Sequence, residues 1–359
     1  MSILIRRYGD TDFVTGLRCI AAVMVIMIHT AGLRDFGTLG NIITDNGKYG
    51  VQIFFVISGF TIARTYGASP GFGPYFGRRL MRIAPLYYVL IVLAFALIVA
   101  GAIPVPYWMA KYDSAPDAYN LGMHLVFLSS WDVRIAASLL GVEWTIPIEI
   151  FWYAVLPALL PISRDRRRLM MIFAALLVLS VSMKAVEYLA LPGHAAHFLP
   201  LSYGAYFYLG ALSERLRRDQ AGRSRAQRLK YTYAFGGLFV IGLLSDTGLN
   251  AGFLGVATAG LIVFHPGRAA GQKGGRGFLC LPPVLFLGSI SYSLYLIHPL
   301  AIELVNALPP LSGHRGLAHF AIVTGVTVAF SALTYSVIEY PSNQLGKRLF
   351  GARAVKPAP

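Results

Sequence analysis

Charge is what this sequence has least of. Asp, Glu, Lys and Arg make up 13% of its 359 residues, where soluble globular chains carry roughly 25%. That leaves too little polar surface to hold a chain of this size in water. Cysteine is nearly absent. Cys19 and Cys280 form no CxxC motif and no disulfide framework, and both read as small apolar packing residues. There is no GxSxG elbow, Walker A loop, Rossmann glycine pattern or HExxH. Hydrolase-elbow, P-loop ATPase and zincin chemistry therefore have no support. His194 and His197 form a lone HxxH, where no metal is expected, and Asp10-Thr-Asp12 is an isolated DxD string. No fixed-period repeat, low-complexity tract or cleavable signal pattern is seen.

What the sequence does have is apolar length. Hydrophobic residues reach 56%, with a mean hydropathy of +0.61, and they come in blocks such as Leu86 to Ile103 and Leu169 to Val181. A membrane span needs about 20 mostly apolar residues, and soluble core helices rarely run so long without a polar stripe. Spans are expected near 13–32, 48–66, 82–102, 144–161, 168–189, 199–213, 231–245, 250–265, 284–304 and 318–338. The expected fold is an all-α polytopic membrane protein with about ten transmembrane helices and both termini cytoplasmic. One transmembrane domain covers 1–345, and a short basic cytoplasmic tail covers 346–359.

The net charge of +15 would point to nucleic acid in a soluble protein. Here its placement alternates along the chain. With the N-terminus inside, inner segments hold 24 of the 31 Lys and Arg, including Arg6, Arg7, Arg78, Arg79, Arg82, Arg164 and seven between Arg215 and Lys230. The outer segments hold only Arg34, Lys48, Lys111, Arg134 and Arg315. That bias is an orientation signal, and no nucleic-acid partner is expected. One long outer segment, from about Ile103 to Glu143, carries Tyr107, Trp108, Tyr112, Tyr119 and Trp131. These rings read either as interface anchors or as a platform on which sugar rings stack.

Ionisable residues inside spans are costly and usually functional. Arg18, His29, Glu149, Lys184, Glu187, His298, Glu303 and Glu339 fall there. Arg18 and His29 lie on one face of the first span, roughly 16 Å apart along the axis. A permanent cation near the inner end thus underlies a titratable base near the outer end. The alternative is a snorkelling arginine and a histidine bonded within the bundle. Arg78, Arg79 and Arg82 open the third span, with Arg82 sharing a face with both others. Such a cluster suits polyphosphate, or simply anchors the inner end. Glu149, with apolar neighbours, needs a partner. It is expected to orient an imidazole, hold a substrate hydroxyl or fix helix register.

The residues resemble the acyltransferase 3 family of integral-membrane O-acyltransferases over most of the chain. The likeness is carried by Gly16-Leu-Arg18 followed by His29, by Gly50-Val-Gln-Ile-Phe-Phe-Val-Ile-Ser58-Gly59-Phe60, and by Arg78-Arg-Leu-Met-Arg82-Ile-Ala-Pro85. Trp144-Thr-Ile-Pro-Ile-Glu149, Ile290-Ser-Tyr-Ser-Leu-Tyr-Leu-Ile-His298-Pro299 and Glu339-Tyr-Pro341 continue it in order. Thr15, Gln52, Thr145 and Pro147 depart from the family's usual residues.

The resemblance implies transfer of an acyl group, usually acetyl, from cytoplasmic acyl-CoA to a hydroxyl of a surface or exported glycan. It implies no permanently bound cofactor and no metal, with acetyl-CoA as donor substrate. The acceptor would be a glycan or lipid-linked saccharide, and the location a bacterial inner membrane, in contact with membrane lipid. Arg18, Arg78, Arg79 and Arg82 would hold CoA phosphates. His29 would deprotonate the acceptor or carry the acyl group itself, and Glu149 would orient His29. Ser58, Trp144, Tyr153 and His298 are expected near the substrate. The competing class is a transporter or flippase for a lipid-linked or small solute.

Overall fold

The computed structural model describes residues 9–163, 165–189, 196–220, 222–267, 277–308 and 316–351. Arg6, Arg7, Arg164, His194, Arg268, Lys273, Arg276, Arg315, Arg353 and Lys356 lie outside the described residues. Among the described residues there is no strand; the chain is a bundle of helices.

Among the described residues, five helices are long and apolar enough to cross a bilayer: Asp12–His29 (α1), Phe72–Val99 (α4), Thr145–Ile162 (α7), Arg166–Val186 of α8 (Arg166–Leu189), and Leu317–Phe350. The last comprises α14 (Leu317–Thr334), a π-turn at Tyr335–Glu339 and α15 (Tyr340–Phe350). A sixth candidate is a bent pair, α12 (Pro282–Ser289) and α13 (Ser291–Asn306), which meet at 72°. The chain is thus a multi-pass membrane protein. The remaining expected spans fall on α3 (Gly50–Gly67), α9 (Gly204–Asp219), α10 (Arg225–Leu244) and α11 (Asn250–Phe264). These helices are shorter or more polar. Between α1 and α3 lies α2 (Gly37–Asn46). The segment after α4 carries α5 (Tyr107–Lys111) and α6 (Ala118–Leu125).

Close helix approach depends on small residues, as is usual where helices pack without a strong hydrophobic drive. A Cβ at Gly59 of α3 would collide with the Phe207 carbonyl of α9, and one at Gly210 with the Val56 carbonyl. The Gly16 of the Gly-Leu-Arg run has the same cause: a side chain there would strike the Leu279 backbone just before α12. α1 is the centre of the bundle, with Phe13, Leu17, Ala21, Ala22 and Ile26 almost fully buried among its neighbours. By contrast α8 is peripheral, with only 11% of its apolar window buried inside the protein.

Three boundaries differ from expectation in ways that matter to the site. α4 begins at Phe72, ten positions before the expected start, and nothing after it interrupts the helix until Ala100. Arg78, Arg79 and Arg82 therefore sit within its early turns rather than at its mouth. The ninth span is not continuous: it breaks at Ile290. The tenth runs on through the π-turn to Phe350, so Lys347 and Arg348 belong to a helix whose Gly346 packs against Met81 of α4.

The outer segment folds over the bundle end. Trp108 stacks on Tyr112 (13°, centroids 6.0 Å), with the Lys111 ammonium 4.6 Å from the Trp108 ring. Trp108 also meets Phe198 edge-on at 5.3 Å. Tyr107 and Trp131 stay exposed. The aromatic run thus splits into rings that pack the segment down and rings that face outward.

Candidate active site

An open cavity, with about 600 Å3 of empty space including its mouth, lies between α1, α3, α4, α7 and the start of α13. Its walls include Arg18, Ser58, Arg82, Glu149, Tyr153 and Tyr295. Five separate stretches of sequence converge there.

Glu149 takes two hydroxyl donors on one oxygen. Ser58 Oγ donates to Oε1 at 2.5 Å from α3, and Tyr153 OH donates at 2.6 Å from one turn further along α7. Charge-assisted bonds of this length stabilise a carboxylate where water is scarce. Glu149 does not meet His29, so the expected carboxylate–imidazole pairing is replaced by a carboxylate–hydroxyl network.

The arginines divide among three surroundings. Arg82 lines the cavity with Arg18. Arg79 is buried behind them, where it donates to the Thr61 carbonyl (2.8 Å) and Thr65 Oγ1 (2.6 Å) and lies 5.2 Å from the Tyr153 ring. Arg78 turns away and donates to the Phe350 carbonyl (2.5 Å) and Ser69 Oγ (2.9 Å). The three arginines therefore do not form one cluster: Arg78 and Arg79 point about 100° apart, and Arg78, one turn before Arg82, is held instead by the carbonyl at the end of α15. Thr61 is the joint that the sequence reading missed. Its hydroxyl accepts from Arg18 Nη2 at 3.3 Å while its carbonyl accepts from Arg79.

Behind Tyr295, outside the cavity lining itself, stands a histidine pair. His29 is the last residue of α1 and is exposed; His298, two turns into α13, is fully buried. His29 Nδ1 stands 2.8 Å from the Val25 carbonyl and 3.2 Å from His298 Nε2. A carbonyl only accepts, so His29 Nδ1 carries the hydrogen. His298 Nδ1 faces the Leu294 carbonyl at 3.3 Å, so it too is a donor, and its Nε2 accepts. This bookkeeping leaves the lone pair of His29 on Nε2, the atom that neither neighbour occupies.

Tyr295 joins this pair to the cavity. Its ring lines the cavity, packs 6.0 Å from His298, and meets Phe54 edge-on. Its hydroxyl donates to the Val142 carbonyl at 2.8 Å and accepts from Thr145 at 3.1 Å. Tyr292, one turn earlier, donates to the Ile83 carbonyl at 2.8 Å. The spacing of Tyr292, Tyr295 and His298 was a readable signal for one helical face. Trp144 lies outside the cavity wall. It packs 4.6 Å from His197 and 5.7 Å from Phe198 and Tyr203, where it holds the entry to α7. Among the described residues, no group of three or more His, Cys, Asp or Glu is placed to hold a metal.

The acyltransferase domain profile matches residues 11–336, so the chain belongs to the acyltransferase 3 family of membrane acyltransferases. Its relatives are distant. It is 28% identical over 356 residues to a protein of Komagataeibacter xylinus named as a membrane-bound transacylase, covering 93% of this chain and 82% of that one. It is 27% identical over 317 residues to nodulation protein 10 of Rhizobium leguminosarum bv. viciae, covering 85% and 84%. A third, named as a peptidoglycan O-acetyltransferase of Bacillus subtilis (strain 168), is 26% identical over 381 residues, covering 94% of this chain and 56% of that protein. No solved structure matches the chain.

Proposed function

We propose that this protein moves an acyl group, acetyl in the simplest case, from cytoplasmic acyl-CoA to a hydroxyl of a surface or exported glycan. The observation that carries the reading is the cavity itself, with guanidinium groups in its lining and a wall, Tyr295, that packs 6.0 Å from His298, the neighbour of His29. Family membership favours acyl transfer over the transporter alternative.

The donor would enter at the arginine end. Arg82 and Arg18 face the cavity and are the groups available to phosphate oxygens. Arg79 supports them through Thr61, and Arg78 supports the fold. The acyl-pantetheine arm would run along the cavity toward Tyr295. At the far end, His29 Nε2 takes the proton from the acceptor hydroxyl as its oxygen attacks the thioester carbonyl. The new C–O bond forms, the C–S bond breaks, and the proton passes from His29 to the departing thiolate. Charge is costly at the edge of an apolar bundle. His298 Nε2, which accepts from His29 Nδ1–H, is placed to share the charge of the incipient imidazolium.

The lysine and arginine bias along the sequence supports ten spans with both termini cytoplasmic, and membership of the family favours a bacterial inner-membrane location. In that orientation the arginine end of the site lies toward the cytoplasm and His29 toward the outer face. Donor and acceptor then arrive from opposite sides.

The test uses membranes containing the protein with acetyl-CoA labelled in the acetyl group. CoA release and label transfer to glycan are followed for wild type and His29→Ala. Label in glycan, lost in the variant, supports the reading. Equal transfer by both removes His29 from its role, and no CoA release with acceptor present removes acyl transfer.

A further inference from the structure

The site is mounted on a broken helix. α12 and α13 meet at Ile290 with a 72° bend, so the first turn of α13 starts inside the bundle. A helix beginning there leaves its leading N–H groups without intrahelical partners. The local chain offers no remedy. Ile290 is the N-cap residue, and its side chain makes no capping bond.

The cap arrives from the far end of the chain. Glu339 is 3% exposed and closes the π-turn between α14 and α15. Its carboxylate accepts from the hydroxyl of Ser293, the third residue of α13. Thr334, from the last turn of α14, donates to Ser293 Oγ at 3.1 Å. A π-turn inserts one extra residue into a helix, which rotates the turns beyond it. Here it presents a carboxylate to the start of α13 while α15 goes on to pack against α4. Ser293 lies on the opposite side of α13 from Tyr295, two residues and about 200° away. α13 is therefore held from both sides: by Glu339 on one, and by the Tyr292 and Tyr295 hydroxyls on the other.

We propose that Glu339 is a positioning residue for the acyl-transfer site, a tertiary helix cap that sets the rotation of α13. The proposal rests on the acyltransferase reading above. Tyr292, Tyr295 and His298 all ride on this helix, so a small rotation moves the cavity wall and the 3.2 Å His298–His29 contact together.

The experiment pairs turnover with a distance. Acetyl-CoA turnover is measured for wild type, Glu339→Ala, Glu339→Gln and Ser293→Ala. In each, with Cys19 and Cys280 replaced by alanine, spin labels at Leu39→Cys and Leu304→Cys report the distance between α2 and the outer end of α13. Both label sites are exposed. Glu339→Ala is expected to lower kcat at least tenfold, leave KM for acetyl-CoA within twofold and shift or broaden the distance. Glu339→Gln keeps an oxygen that accepts the same hydroxyl, so it should stay within threefold of wild type at an unchanged distance. Ser293→Ala should fall between them.

Wild-type turnover in Glu339→Ala would overturn the proposal. So would a Glu339→Gln protein as inactive as Glu339→Ala but with the wild-type distance, because the charge would then matter and the cap would not. If Glu339→Ala does not insert, Glu339→Gln and Ser293→Ala decide between the same outcomes. A wild type that never turns over acetyl-CoA would sink the acyltransferase reading alone, since the distances still test the cap.

Discussion

The charged groups of the bundle and those of the outer surface are the same residue types under opposite rules. Inside, Glu149 is fixed by two short hydroxyl bonds, and Arg79 by two bonds and an aromatic ring. Outside, Arg134 pairs with Asp132 at 2.6 Å, and Arg34 with Asp45 at 2.7 Å, both in reach of water. Water replaces a lost partner at the surface but not in the bundle. An internal substitution is therefore felt in full, and an external one is largely absorbed.

That contrast is tested in descending order of effect. His29→Ala should lower turnover by about 10²-fold or more with the protein still inserted, as label transfer from acetyl-CoA will report. His298→Ala should cost roughly tenfold by removing one of the two acceptors, beside the Val25 carbonyl, that share His29 Nδ1–H. If it matches wild type, the imidazole pair is only a packing contact. Arg82→Ala should raise the KM for acetyl-CoA by about tenfold, the scale of one charge-assisted phosphate contact, with little change in kcat. The same change in Arg78, which faces Phe350, should act on thermal stability and leave KM alone.

The smallest effect belongs to the surface. The Arg134 guanidinium, bonded to Asp132, holds that carboxyl below its usual range. A carboxyl lowered by folding adds stability above its unfolded value, near pH 4, and that contribution disappears as pH falls through the lower folded value. Asp132→Asn should therefore cost less than about 1 kcal/mol at neutral pH and nothing once both forms are protonated. Thermal melts at pH 7 and at low pH would show the difference. A large loss at neutral pH would mean that the outer segment is as tightly coupled as the bundle.

Much of this was legible along the chain, for physical reasons. Apolar runs long enough to span a bilayer announce themselves, and the first-span spacing of Arg18 and His29 fixes their separation whatever surrounds them. Intramembrane charge is expensive enough that Glu149, His298 and Glu339 stood out by being there at all. The partners were not legible. Glu149 is paired with Ser58, 91 positions away, and His29 with His298, 269 positions away. Residues this far apart leave no local periodicity to read.

The sequence by itself therefore determined the class of protein, the helical pattern, and which side chains are too costly to be in a membrane without a reason. Each depends on composition and on spacing within a single helix. Only the tertiary structure decided how the three arginines divide, that Thr61 joins two of them, that α12 and α13 meet at a sharp bend, and that Glu339 bonds Ser293 just past it. Those outcomes depend on which helix lies against which, and packing between distant segments is set by the shape of the whole bundle.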